Sequence, residues 1–110
     1  MKSEQQVATT FDELLAQIRE YNPSSDEERI RQAYELADRL HKDQLRDSGE
    51  PYIMHPMAVA SILASLHMDD TTIMAGLMHD VVEDTEMTLD DIRELYGPEM
   101  VLLLDGVTKL

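Results

Sequence analysis

Apolar residues recur every three to four positions along nearly all of this chain, and nowhere do they alternate at period two over a useful length. That periodicity is the signature of amphipathic helices, and it predicts an all-α fold. Breaks in the period divide the chain. Thr9 or Thr10 can cap a first helix with Phe11, Leu14, Leu15 and Ile18 on one face, ended by "YNPSS", where Asn-Pro breaks the pattern. Ser24 or Ser25, with Glu27 or Glu28 three residues on, forms a capping-box signature for a second helix. Its apolar face is Ile30, Ala33, Tyr34, Ala37 and Leu40, and it is expected to run to about Lys42. The polar stretch "DQLRDSGEPYIM" is a loop. Pro56 then opens a third helix with His55 at its cap, and Met57, Val59, Ala60, Ile62, Leu63 and Leu66 are expected to face the core.

A fourth helix starts from Asp69 or Asp70 and is apolar through Ile73, Met74, Leu77, Met78, Val81 and Val82. Thr88 caps a short fifth, closed by Gly97, and Pro98 opens a sixth through Leu104. One modest core suits 110 residues of which 43% are hydrophobic.

The fourth helix carries an anomaly. Within "AGLMHDVVEDTE" stand His79, Asp80, Glu83 and Asp84, in a run that otherwise belongs to a core. Burying carboxylates is costly unless a counter-charge meets them, and a cation can satisfy several at once. On a continuous helix at 100° per residue the four groups share a sector of roughly 140°. The chain has no cysteine, so a metal here has only His, Asp and Glu for ligands. Nitrogen plus carboxylate oxygen suits Mn²⁺, Fe²⁺ or Zn²⁺, and spacing alone does not choose between them. The bland alternatives are a core histidine beside a solvated acidic helix end, with His55 only an N-cap. His41 and His67 lack acidic neighbours at ligand spacing and are expected at the surface.

Charge narrows the partners. A formal net charge of −14 argues against nucleic acid and against an anionic membrane surface. No apolar run is long enough to span a bilayer or to serve as a secretion signal, so a cytoplasmic location is expected.

Three stretches, "AYELADRLHKDQLRDSGEPYIMHP", "AGLMHDVVEDT" and "LYGPEMVLLLDGVTKL", follow one another in an order and spacing that resemble the N-terminal hydrolase domain of the RelA/SpoT family. The resemblance covers about residue 31 to residue 110. It implies an HD-type helical fold, present in part, over residues 23–110, preceded by a helical extension over residues 1–22. It further implies His55, His79 and Asp80 as ligands of Mn²⁺, Glu83 and Asp84 as the acidic pair that orients and deprotonates the attacking water, and Arg46 against the guanine base. The implied substrates are guanosine tetra- and pentaphosphate, losing their 3′-pyrophosphate. Arg39, Lys42 and Arg46 give the acidic chain a locally basic mouth beside that loop.

Family domains continue past "DGVTKL" with a further aspartate ligand, so this chain is expected to be a piece of a longer bifunctional synthetase/hydrolase. Apolar surface around Leu77, Val81 and residues 101–104 is then expected to be bare and to pair with a second copy. The alternatives are a non-catalytic interaction fragment and an HD phosphohydrolase acting on another nucleotide.

Overall fold

The computed structural model describes residues 10–42, 49 and 53–108, apart from the side chains of Glu83, Asp84, Val107 and Thr108. The described residues are helical with no strand: α1 (Phe11–Tyr21), α2 (Glu27–Leu40), α3 (Met54–Ser65), α4 (Asp70–Met78), α5 (Val81–Asp84), α6 (Leu89–Tyr96) and α7 (Pro98–Thr108).

Capping follows side-chain chemistry closely. Thr10 accepts from the Glu13 N–H, Asp69 from the Thr72 N–H, and Thr88 forms a full capping box with Asp91. Gly97 closes α6 at φ 98°, a conformation that favours glycine. One cap differs from expectation. Asp26, and neither Ser24 nor Ser25, caps α2 by accepting from the Arg29 N–H. Ser25 is engaged elsewhere: its hydroxyl donates to Asp70 at 2.7 Å, and the Asp26 N–H donates to the same carboxylate at 2.8 Å. The starts of α2 and α4 are thereby tied together.

The second helix stops at Leu40, with His41 as its C-cap and 2% exposed. The surface placement expected for His41 is therefore wrong. It lies four residues beyond Ala37, on the stripe that already carries Ile30, Ala33 and Ala37 inward, so the helical period itself buries it. His67 does lie outside, in a left-handed turn at φ 60° with its ring stacked on Tyr21.

The third helix begins at Met54, which puts Pro56 third and not first. Proline costs nothing there, because the first-turn N–H groups have no intrahelical acceptor. Met57, Ala60, Leu63 and Ala64 face the core, whereas Ile62 is 53% and Leu66 61% exposed. Ile62 stands roughly 140° around the helix from Met57, off the stripe it was expected to join.

At the centre is α4, where every residue from Ile73 to Met78 is buried. A helix apolar on all sides needs cover on all sides, and α2, α3 and α7 provide it. Leu77 and Val81 are consequently 0% exposed, which overturns the expectation of bare surface there. Of the surface expected to be bare, the outer side of α7 is open: Leu102 is 74% exposed, against 3% for Leu104.

Candidate metal centre

The expected fourth helix is not continuous. It ends at Met78, and Asp80 stands at φ −96°, ψ −2° before the single turn α5 resumes. The Gly76 carbonyl, which a continuing helix would offer to the Asp80 N–H, receives the His79 ring nitrogen Nδ1 at 2.7 Å. Four acidic and imidazole groups on one unbroken helix face is therefore the wrong picture; the break separates His79 and Asp80 from α5.

What the break achieves is convergence. His55 comes from the first turn of α3, His79 and Asp80 from the end of α4, and their ligating atoms form a small triangle. His55 Nε2 lies 3.2 Å from His79 Nε2 and 3.5 Å from Asp80 Oδ2, and His79 Nε2 lies 3.3 Å from Asp80 Oδ2. Because the Gly76 carbonyl can only accept, the hydrogen sits on His79 Nδ1 and the Nε2 lone pair faces the centre. With the His55 tautomer that leaves its Nε2 bare as well, two imidazole nitrogens and a carboxylate oxygen converge as a donor set suited to a cation.

A metal ion fits. A triangle of those sides has a circumradius of about 1.9 Å, so a point slightly off its plane is about 2.0–2.2 Å from all three atoms, the usual range for divalent metals on nitrogen and oxygen. Among the described residues these three are the group whose ligand atoms come close enough to share an ion. His79 is 11% and Asp80 17% exposed at the side chain, against 35% for His55, so the site is closed below and open on the His55 side. Three protein ligands leave positions for water or substrate.

The other expected site residues fare differently. The backbone of Glu83 and Asp84 forms most of α5, one turn after Asp80, but their side chains lie outside the described residues, as does Arg46. Two contributors went unrecognised in the sequence. Gly76 supplies the carbonyl that sets the His79 ring, and Thr85 caps α5. A glycine three residues before a histidine was the available signal for the first: a Cβ there would meet Leu63 Cδ1 at 2.7 Å and Ala60 Cα at 3.5 Å, so α3 and α4 approach closely beside the site.

A family model described as HD domain matches residues 33–110, and the chain belongs to that family. The GTP pyrophosphokinase of Streptomyces coelicolor is 52% identical over 88% of this chain, and the probable GTP pyrophosphokinase of Mycobacterium leprae 48% identical over 94%. The bifunctional (p)ppGpp synthase/hydrolase SpoT of Escherichia coli is 48% identical over 91%. Within the HD family these relatives are of the RelA/SpoT type, as the motifs suggest. The chain spans only 12–14% of their length.

Proposed function

We propose that this chain forms the metal-binding part of a hydrolase domain that removes the 3′-pyrophosphate of guanosine tetra- or pentaphosphate. One water is consumed, and GDP or GTP is released with pyrophosphate. The observation that carries the proposal is the convergence of His55 Nε2, His79 Nε2 and Asp80 Oδ2. It gains substrate direction from the likeness to a protein named a (p)ppGpp synthase/hydrolase.

In this reading the three side chains hold Mn²⁺, a hard-to-borderline ion that suits imidazole with carboxylate. When bound, such an ion supplies a water of lowered pKa and screens the polyphosphate. Glu83 and Asp84, one turn beyond Asp80, orient the attacking water and take its proton, and Arg46 lies against the guanine. In this reading the site works in the cytoplasm.

A second role has its own observation. Within the apolar run 101–104 of α7, Leu104 packs inward at 3% exposed while Leu102 stands on the outer face at 74%. That face is suited to pairing with a second copy, and sedimentation of the chain as a clean monomer at high concentration would count against it.

The hydrolase reading is tested with the full-length protein, Mn²⁺ and guanosine tetraphosphate, separating products by ion exchange. GDP and pyrophosphate in equal amounts are expected. Intact substrate, or two released orthophosphates without pyrophosphate, would overturn it.

A further inference from the structure

The single turn α5 is too short to hold itself. Helix nucleation is unfavourable and is repaid only by many propagating bonds, yet α5 has four residues. On its N-terminal side Val81 is 0% exposed and anchors it in the core. On its C-terminal side the anchor is Thr85. The Thr85 N–H donates to the Val81 carbonyl at 3.0 Å, the Thr85 hydroxyl donates to that same carbonyl, and the hydroxyl oxygen accepts from the Met87 N–H at 3.2 Å. Thr85 itself is extended, at φ −135° and ψ −179°, so the helix stops there and the chain turns toward α6.

We propose that Thr85 is a positioning residue: its hydroxyl, shared between the Val81 carbonyl and the Met87 N–H, fixes the backbone of the turn that carries Glu83 and Asp84. The catalytic part of this inference rests on the function proposed above for that acidic pair. The geometry separates Thr85 from metal binding, because the three ligand atoms lie before α5 in the chain and His79 is set by Gly76. Loss of the hydroxyl frees the Met87 N–H and half of the clamp on Val81, and it leaves the triangle intact. A general base is sensitive to such displacement, since a misplacement of about 1 Å can cost on the order of 10²-fold in rate.

The test compares the full-length wild type with Thr85→Val and Thr85→Ser. Valine keeps the shape and suits extended backbone, while serine keeps the hydroxyl. Three quantities are measured: Mn²⁺ affinity, kcat and KM for pyrophosphate release, and hydrogen exchange of the amides from residue 83 to residue 87. For Thr85→Val, kcat is expected to fall roughly 10- to 100-fold with KM and Mn²⁺ affinity within about twofold of wild type, and exchange at Met87 is expected to quicken by about tenfold or more, the hydroxyl no longer protecting it. Thr85→Ser is expected to restore most of both. The inference is overturned if Thr85→Val keeps its kcat, if Mn²⁺ affinity falls in step with kcat, or if serine does no better than valine. Should wild type not cleave the alarmone at all, the functional proposal fails separately. The clamp is then judged on exchange: faster in valine and normal in serine upholds it, and equal rates in all three overturn it.

Discussion

The Nε2 atoms of His55 and His79 stand 3.2 Å apart although the residues are 24 positions apart in sequence, and Asp80 Oδ2 is within 3.5 Å of both. An ion placed there binds the folded chain and has no preformed site in the unfolded one, so it stabilises by mass action. Mn²⁺ at about 100 times its dissociation constant is expected to add about 2.7 kcal/mol, seen as a rise in Tm that a chelator reverses. His55→Ala should remove most of the rise, because it deletes the one ligand brought from α3. An unchanged Mn²⁺ response in that variant would mean the ion binds elsewhere.

Gly76 tests how the two helices come to meet. A Cβ there would lie 2.7 Å from the tip of the Leu63 side chain but 3.5 Å from the Ala60 backbone, an ordinary contact. Alanine needs only a Leu63 rotation and gains up to about 1 kcal/mol of helix propensity, so Gly76→Ala is expected to be near neutral in urea unfolding. Gly76→Val has no such escape and should cost about 1–3 kcal/mol by overpacking. It should also weaken Mn²⁺ binding, since spreading α3 from α4 draws His55 away from His79. A valine variant as tight for Mn²⁺ as wild type would show that the helix spacing does not set the site.

Much of this was legible in the sequence where local chemistry decides. Thr10, Asp69, Thr88, Gly97 and Pro98 mark helix ends that the structure places within a residue of where their side chains put them. His55, His79 and Asp80 were picked out together, the latter two by residue type and all three by resemblance, and they converge. The errors lie where one local signal had a competitor. Ser25 carries the cap signature, but Asp26 also caps and Asp70 claims the serine hydroxyl. The stretch from Ile73 to Val82 has one helical period throughout, and only a side-chain hydrogen bond from His79 to the Gly76 carbonyl marks the break. Leu77 and Val81 looked bare because α7 was not foreseen folding back on α4.

Asp69 gives a pH-dependent test. It caps α4, and hydrogen bonds from the Thr72 hydroxyl and N–H hold its carboxyl below the usual range. A depressed folded pKa means the contribution is complete above the unfolded value, about 3.9, and is lost as pH falls through the lower folded value. Asp69→Ala is expected to cost about 1 kcal/mol near neutrality, with the gap to wild type closing below about pH 4. Asp69→Asn keeps an acceptor without the titration, so its gap to wild type should stay small and shrink or invert in acid. A cost for alanine that persists unchanged at pH 3 would argue that packing, and not the charged cap, is what was lost.

The pair Gln17 and Ser61 tests whether α1, which precedes the matched family region, belongs to the same core. The Gln17 amide donates to the Ser61 carbonyl at 3.0 Å, and the Ser61 hydroxyl donates back to Gln17 Oε1 at 2.8 Å. Ser61 is 1% exposed and Gln17 half-buried, so both hydrogen bonds form where water competes poorly. Ser61→Ala is expected to cost about 1–2 kcal/mol, and a double-mutant cycle with Gln17→Ala should return a coupling of about 0.5–2 kcal/mol. Additive losses would mean that α1 is held by Phe11, Leu14, Leu15 and Ile18 alone.

Asp80 and the acidic pair Glu83 and Asp84 should divide their labour, and substitution in the full-length protein separates them. Asp80 lies in the ligand triangle, 3.3 Å from His79 Nε2, so Asp80→Asn replaces a carboxylate ligand by a weaker neutral oxygen. Metal and hydrolysis are expected to be lost together. Glu83 sits a turn later on α5, past the break at Asp80, and by the proposed mechanism takes a proton from water without binding the ion. Glu83→Gln keeps the shape and removes the basic oxygen, so Mn²⁺ should stay bound while alarmone cleavage falls by roughly 10² to 10⁴. Measuring bound manganese and pyrophosphate release on both variants decides the matter. If Glu83→Gln loses manganese as Asp80→Asn does, Glu83 is a ligand and the division is wrong; if it keeps both manganese and full activity, Glu83 is a solvated residue of α5 and another group serves as the base.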